Sequence, residues 1–284
     1  MQYLKKTILF AVFFCGLNAS AQHLFFTAHY GASGYRGDLQ ETPFSFLQAR
    51  IVYGVGIKYE LTSRIFINLL YHQAKVSGND KYNPFNRKRN LQFQSEISEI
   101  ALYGEYNLFD LYEYNATPFL FGGFGYFKYN PYYDLSNGGR IYLSEFDTEG
   151  QGFYDKRKKY DLTEYTIPFG VGMNYAISKN IRFSASIGLH LTNTDYLDDV
   201  STTYIDKALL IAKKGENAPK IAYKGDQLPN GPDYPVAGTP RGNPNNKDSY
   251  YFATIAIVKR LQAKGKRKEF VPGRKPASVD CPNL

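Results

Sequence analysis

The chain reads as all-β: an eight-stranded antiparallel up-and-down transmembrane β-barrel with long extracellular loops and a short periplasmic C-terminal tail. Three observations predict this. Apolar and aromatic residues alternate with small or charged ones in stretch after stretch, which is the period of a strand with two unlike faces. The connections between these stretches are alternately short and long. The first 21 residues have the layout of a secretory leader, so the strands belong to an exported protein.

The leader carries Lys5 and Lys6, an apolar run over 8–17, and Ala19-Ser20-Ala21, so cleavage is expected before Gln22. Its apolar run is too short to cross a hydrocarbon core of ~30 Å. Domain boundaries follow: leader 1–21, barrel 22–261 and a basic periplasmic tail 262–284. Net charge is +8, and two of the lysines behind it lie in the leader. Mean hydropathy is −0.41, which hides the apolar faces because they alternate with polar ones.

Eight segments carry the alternation: 23–33, 47–61, 64–76, 93–109, 116–130, 160–177, 180–193 and 248–261. In "QARIVYGVGIKYEL", residues Ile51, Tyr53, Val55, Ile57 and Tyr59 face one way, and Arg50, Gly54, Gly56, Lys58 and Glu60 the other. "YTIPFGVGMNYAI" and "NIRFSASIGLHLT" repeat the pattern. The turns 62–63, 110–115 and 178–179 are short, whereas 34–46, 77–92, 131–159 and 194–247 are long and polar. Short turns at one end and long loops at the other are the plan of an outer-membrane barrel, whose strands need ~9–11 residues. A soluble lipocalin-like barrel or a sandwich would alternate too, with its apolar face inward. Export, the loop pattern and the aromatic content (17%, with 26 Tyr, 21 Phe and no Trp) favour the membrane. Tyr59, Tyr71, Tyr165 and Tyr175 fall near strand ends, where interfacial belts form.

The lumen of so small a barrel is filled by side chains. Parity turns Arg50, Lys58, Glu60, Glu99, Glu105, Glu164 and Arg182 inward. Both signs are present, and buried charges require partners, so a salt-bridged plug is expected instead of a pore.

Candidate chemistry is sparse. His29, His72 and His190 face inward by parity, either as a three-imidazole zinc set or as hydrogen-bonded lumen residues. Ser186 and His190 share a face near Glu164, but two residues four apart on a strand stand ~13 Å from each other, too far for a nucleophile and its base. The Gly-rich "GVG" and "GGFG" lie in mid-strand and lack the helix a phosphate loop needs. No catalytic residue, cofactor or metal ligand is assigned, and the chain is expected not to be an enzyme. Loop 194–247 holds "IDKALLIAKKGENA", a candidate short helix, and a Pro/Gly/Asn-rich run. Such loops either bind partners or are solvated decoration.

The tail carries Lys264, Lys266, Arg267, Lys268, Arg274 and Lys275 against Glu269 and Asp280. It also carries Cys281, the one cysteine beyond the leader, which is either free or paired to another chain. Lys264, Lys266, Arg267, Lys268 and Cys281 therefore form a candidate docking arm for a periplasmic partner; the alternative is a solvated overhang. Nucleic acid is not a partner expected in that compartment.

Several stretches taken together, "YGASGYRGDL", "ARIVYGVGIKYELTSRIFI", "FQSEISEIALYGEYNLF", "TPFLFGGFGYFKYNP", "TDYLDDVSTTYID" and "RGNPNNKDSYYFATIAI", resemble the PorG-like (DUF6089) family of outer-membrane barrels. The resemblance spans nearly the whole chain beyond the leader, and "DYLDDVSTTY" is among its most specific parts. It implies a non-enzymatic component of the type IX secretion system. Such a component anchors a periplasmic ring, made of a lipoprotein and its partner, to the outer membrane. Asp38, Asp195, Asp198 and Asp199 carry over as family-motif loop residues. Physically they are suited to capping turns and pairing with loop lysines; calcium binding lacks a full ligand set. Two other readings remain: a generic small barrel for envelope stability or adhesion, and a lipid-modifying enzyme.

Overall fold

The computed structural model describes residues 23–40, 45–135, 138–178 and 180–261. The leader, the basic residues of the tail (Lys264, Lys266, Arg267, Lys268) and Cys281 lie outside the described residues.

Eight long strands form the wall. They are β1 (Leu24–Arg36), β2 (Arg50–Glu60), β3 (Ile65–Asn79), β4 (Gln92–Asn107), β5 (Ala116–Lys128), β8 (Thr163–Ala176), β9 (Ile181–Thr192) and β10 (Ser249–Arg260). Each pairs antiparallel with its neighbour in sequence, β1 pairs with β10, and the β3–β4 ladder completes the ring. The barrel is closed, so no wall strand presents an unpaired backbone edge to hydrocarbon.

The tight turns are built by hydroxyls and one carboxylate. Thr62 Oγ1 accepts from Ile65 N at 3.0 Å, and Ser178 Oγ from Ile181 N at 3.1 Å. Asp110 Oδ1 accepts from Tyr112 N at 2.8 Å. These three turns share one end of the barrel with Leu24 and Arg260, and the four long connections share the other.

The outer face is apolar and open. Ile57 is 45% exposed, Leu120 53%, Val171 51% and Ile255 51%, in mid-strand positions where a soluble protein would bury them. Exposed tyrosines ring this band towards the loop end: Tyr30 lies opposite Tyr53, and Tyr126 opposite Tyr165, with Tyr71 between them in the ring. Tyr106 and Tyr175 mark the turn end, and Tyr59 is half-buried beside them. Ten residues separate Tyr165 from Tyr175. That is roughly 33 Å along the strand, or about 25 Å along the normal for a strand tilted by about 40°. The inward glycines make room for inward rings. A Cβ on Gly54 would collide with the His72 ring, and one on Gly172 with the Phe119 ring.

Two features depart from the sequence reading. The β3–β4 hairpin runs to Asn79 and restarts at Gln92, beyond the expected limits of 76 and 93. Above Tyr71 its outward residues become polar, so the alternation fades while the pairing continues. Within 131–159 a short hairpin, β6 (Pro131–Asp134) and β7 (Arg140–Tyr142), extends the wall, with Tyr132 paired to Gln94. The loop helix expected after Ile205 is present as α1 (Lys207–Lys214): the Asp206 side chain accepts from Leu209 N, and Gly215 closes the helix at φ 85°. It is followed by α2 (Ala218–Ala222). The largest hydrophobic cluster lies at the loop end, where Leu39, Leu197, Val200 and Ile221 pack on the inward Val52, Val76, Ile97 and Phe127. The long loops thus form a packed cap.

Candidate functional site

Polar side chains fill the lumen in three tiers. At the turn end, Glu60 accepts from Tyr112 Oη at 2.6 Å and pairs with Arg182 and Arg260, each at 3.4 Å. Both guanidinium groups also lie over the Phe25 ring, at 4.5 and 4.8 Å from its centroid. In the middle, Lys58 pairs with Glu105 at 2.8 Å, and Asn68 and Asn174 donate to the same carboxylate at 3.3 and 3.0 Å. Towards the loops, Glu99 is fully buried. It receives His190 Nδ1 at 2.7 Å, Tyr103 Oη at 3.1 Å and the Tyr250 hydroxyl, with His72 Nδ1 at 3.5 Å. Between the middle and upper tiers remains a chamber of about 40 Å3, lined by His29, Lys58, Ser184 and Thr254. That is room for a few waters.

Five of the seven residues assigned to the lumen network by parity thus meet there: Lys58, Glu60, Glu99, Glu105 and Arg182. The expectation fails for the other two. Arg50 opens β2 at the loop end and is exposed, and Glu164 is half-buried near the start of β8. Neither forms an ion pair among the described residues. Glu164 keeps inward parity but stands where the wall opens to solvent, and Arg50, the first residue of β2, lines a cleft with residues of the β3–β4 hairpin and β6.

The three inward histidines are hydrogen-bonded or stacked. His29 Nε2 lies 3.1 Å from Thr27 Oγ1, and the His29 and His72 ring centroids are 5.4 Å apart, edge to face. Among the described residues no group of three His, Cys, Asp or Glu side chains has the geometry of a metal site. Ser186 shares a hydrogen bond with Thr254 at 3.1 Å, while His190 is committed to Glu99.

A second network holds the cap. Arg241 is 3% exposed, and it pairs with Glu149 at 2.9 Å and Asp199 at 3.5 Å. Glu149 also accepts from the backbone N–H of Ser201 and Thr202, both at 2.9 Å. Arg89 forms a two-point bridge to Asp80, at 2.7 and 2.8 Å, and donates to the backbone carbonyls of Asp38 and Arg241. Tyr35, at the top of β1, donates to Asp198 and to Asp248 at 2.5 and 3.0 Å. This ties loop 194–247 to the barrel wall.

The family-motif aspartates all lie in this cap. Asp38 accepts from Asn243 N at 3.0 Å, and Asp198 from Val200 N at 2.8 Å, so turn capping is realised. Pairing with loop lysines is not. Asp199 instead receives Tyr160 at 2.7 Å, Thr148 at 2.6 Å and Arg241. The lysines Lys159 and Lys214 go to Asp147. Asp199 is closed in by the planar guanidinium and the ring hydroxyl packed on it, whereas Lys159 reaches Asp147 from a side chain that is itself largely exposed. Burial pushes the Asp199 carboxyl up to about 6 despite Arg241, and the Asp195 carboxyl up to about 7. Burial and then Asp38 hold Asp198 well above the usual carboxylate range, and burial and then Asp198 do the same for Asp248. Sequence reasoning missed Arg241, Asp248 and Tyr35 as partners although all three stand in the motif stretches. Glu149, Arg89 and Asp80 carried no sequence signal.

A closed antiparallel barrel with an apolar outer band, tyrosine girdles, a charged and filled lumen and loops gathered at one end defines an outer-membrane β-barrel protein. Residues 4–207 match a family described as a domain of unknown function, DUF6089. The chain belongs to that family. The "RGNPNN" segment that contributes Arg241 and anchors Asp38 lies beyond the matched residues. Among curated proteins no sequence matches. Solved structures similar to this chain include Neisserial surface protein A, at 8% identity and TM-score 0.42, covering 84% of this chain and 96% of that one. Ail, the attachment invasion locus protein of Yersinia pestis, crystallised with the heparin analogue sucrose octasulfate, is similar at 8% identity and TM-score 0.39, over 84% and 97%. The outer membrane protein W of E. coli is similar at 13% identity and TM-score 0.36, over 84% and 98%.

Proposed function

We propose that this barrel is a non-enzymatic accessory of type IX protein secretion that anchors periplasmic ring components to the outer membrane. The observation that carries the reading is the filled lumen. Three tiers of buried ion pairs and about 40 Å3 of free space leave no passage for cargo, so a secretion role has to be one of anchoring. The resemblance to PorG-like proteins supports the system, and the basic tail with Cys281 supports the means of docking. In this reading the leader is cleaved, the short turns and the tail face the periplasm, and the tail docks on the ring lipoprotein or its partner, by charge or by a disulfide at Cys281.

The test is purification of the tagged protein from native outer membranes in mild detergent, run on a non-reducing gel beside Cys281→Ser. Co-purification of ring components, with a covalent band lost on reduction and in the variant, supports a disulfide-linked arm. Co-purification without such a band supports docking by charge. If the protein runs alone in both forms and secretion is unchanged in its absence, the reading falls in favour of a generic envelope barrel.

A further inference from the structure

Above the tyrosine girdle the outer face of the β3–β4 hairpin changes character. The outward cross-strand pairs Leu69–Leu102 and Tyr71–Ile100 give way to Gln73–Ser98, Lys75–Glu96, Ser77–Gln94 and Asn79–Gln92. This part of the wall stands where lipid headgroups begin. Near its top, the hairpin, the start of β2 and the strand β6 enclose a cleft of about 360 Å3. That lies within the size range of small-ligand sites.

Its lining is unusual in kind. Arg50, Asn79, Gln92, Gln94, Asp134 and Tyr82 face it. Three are carboxamides; the one carboxylate, Asp134, is already paired with Arg140, and the guanidinium of Arg50 stands apart from it. Two internal bonds hold the set in place: Asn79 Nδ2 donates to Gln92 Oε1 at 3.1 Å, and Gln94 Nε2 to Asp134 Oδ2 at 3.2 Å. Arg140 Nε steadies the other oxygen of Asp134 at 3.2 Å. The Gln92 amide group, the Gln94 carbonyl and the Arg50 guanidinium have no protein partner among the described residues. They present free donors and acceptors to the cleft, which the exposed ring of Tyr82 also lines.

A ligand that fits must offer adjacent donor–acceptor groups and an apolar edge for the ring. Sugars do: each hydroxyl donates and accepts, vicinal hydroxyls span a carboxamide or guanidinium, and the C–H face of a pyranose packs on an aromatic ring. A phosphate only accepts and would leave the Gln94 carbonyl without a donor, and an apolar peptide side chain would desolvate the carboxamides without replacing their bonds. We propose that this cleft is a glycan-binding site for a hydroxyl-rich saccharide unit. The saccharide comes either from an outer-leaflet glycolipid, whose headgroup lies at this height, or from free polysaccharide.

The test uses the full chain reconstituted in phospholipid nanodiscs. The probes are smooth lipopolysaccharide, the lipid-free polysaccharide released from it by mild acid, and lipid A alone. Wild type is compared with Gln92→Ala/Gln94→Ala and with Tyr82→Ala; migration on an unboiled gel checks that each barrel is folded. The expected result is binding that falls at least tenfold in the double variant and several-fold in Tyr82→Ala. Equal affinity for intact and lipid-free glycan assigns the site to free polysaccharide, and binding of the intact form alone assigns it to the glycolipid. Should the double variant fail to fold, Arg50→Ala, at an exposed strand end, carries the same comparison. The proposal is overturned if wild type binds neither glycan, if folded variants bind as wild type does, or if lipid A binds as well as the intact molecule.

Discussion

Arg241 is a side chain whose removal should be felt through the whole cap. It is the cation shared by the buried carboxylates of Glu149 and Asp199. Arg241→Ala leaves both uncompensated, a loss on the order of 3–5 kcal/mol. The expected outcome is faster trypsin cleavage within loops 131–159 and 194–247 while the barrel itself stays folded on an unboiled gel. The carboxyls add a pH dependence of definite sign. Asp199 and Asp195 are raised by burial to about 6 and about 7, so the folded cap holds protons that the opened cap releases. Their contribution is fully present below the ordinary Asp range and is lost as pH rises through 6 and 7. Protease resistance of the cap should therefore be greater at pH 5 than at pH 8, and an Asp199→Asn, Asp195→Asn variant should flatten the profile. Asp198 and Asp199 stood out in the sequence as a motif; their partners did not, because Tyr35 is 163 residues away from Asp198 and Arg241 is 42 residues away from Asp199.

Within single strands, the two faces obey different rules. On the lipid face, Ile57→Lys places an ammonium in the apolar band and should cost ~2–4 kcal/mol, whereas Tyr53→Lys at the girdle should cost ~0–1 kcal/mol. Urea unfolding in liposomes reads the difference, and equal effects would move the band. On the lumen face volume decides. Gly172→Val drives a branched side chain into both the Phe119 ring and the Ala185 carbonyl, so the folded fraction should fall, and a second change, Phe119→Ala, should restore only the part that the ring takes away. Periodicity made both faces legible, since outward Ile57 and inward Lys58 follow from parity alone. Strand ends were less legible. At Ser77 and Asn79 the outer residues are already polar, and only the pairing with Gln94 and Gln92 shows that the strand continues.

The whole molecule is a closed wall around a filled interior, capped by its own loops. In a planar bilayer the purified protein should show no stable open-channel current. Removing one lumen pair, as in Lys58→Met with Glu105→Leu, should not open it, because the Glu60 and Glu99 tiers still block the axis. A steady conductance in the wild type would contradict the filled lumen. The packed cap bears on partners as well: a ligand or protein arriving from outside meets a fixed surface that includes the cleft beside Gln92 and Gln94, not solvated decoration.

The residues by themselves determined the class of this protein. Alternation with period two, short turns opposite long loops, and tyrosines at strand ends all follow from a membrane that demands an apolar outside and paired backbone throughout. Parity also determined which charges enter the lumen. Only the tertiary structure decided which of them meet. Arg182 reaches Glu60 across the barrel, three carboxylate-centred tiers form, and Arg50 and Glu164 stay at the rim. It alone decided that the motif aspartates are buried under arginine and tyrosine. The reason is physical: strand periodicity is a local property of the chain, whereas ring closure, tilt and the folding back of a loop over fifty residues long bring together groups that share no local pattern.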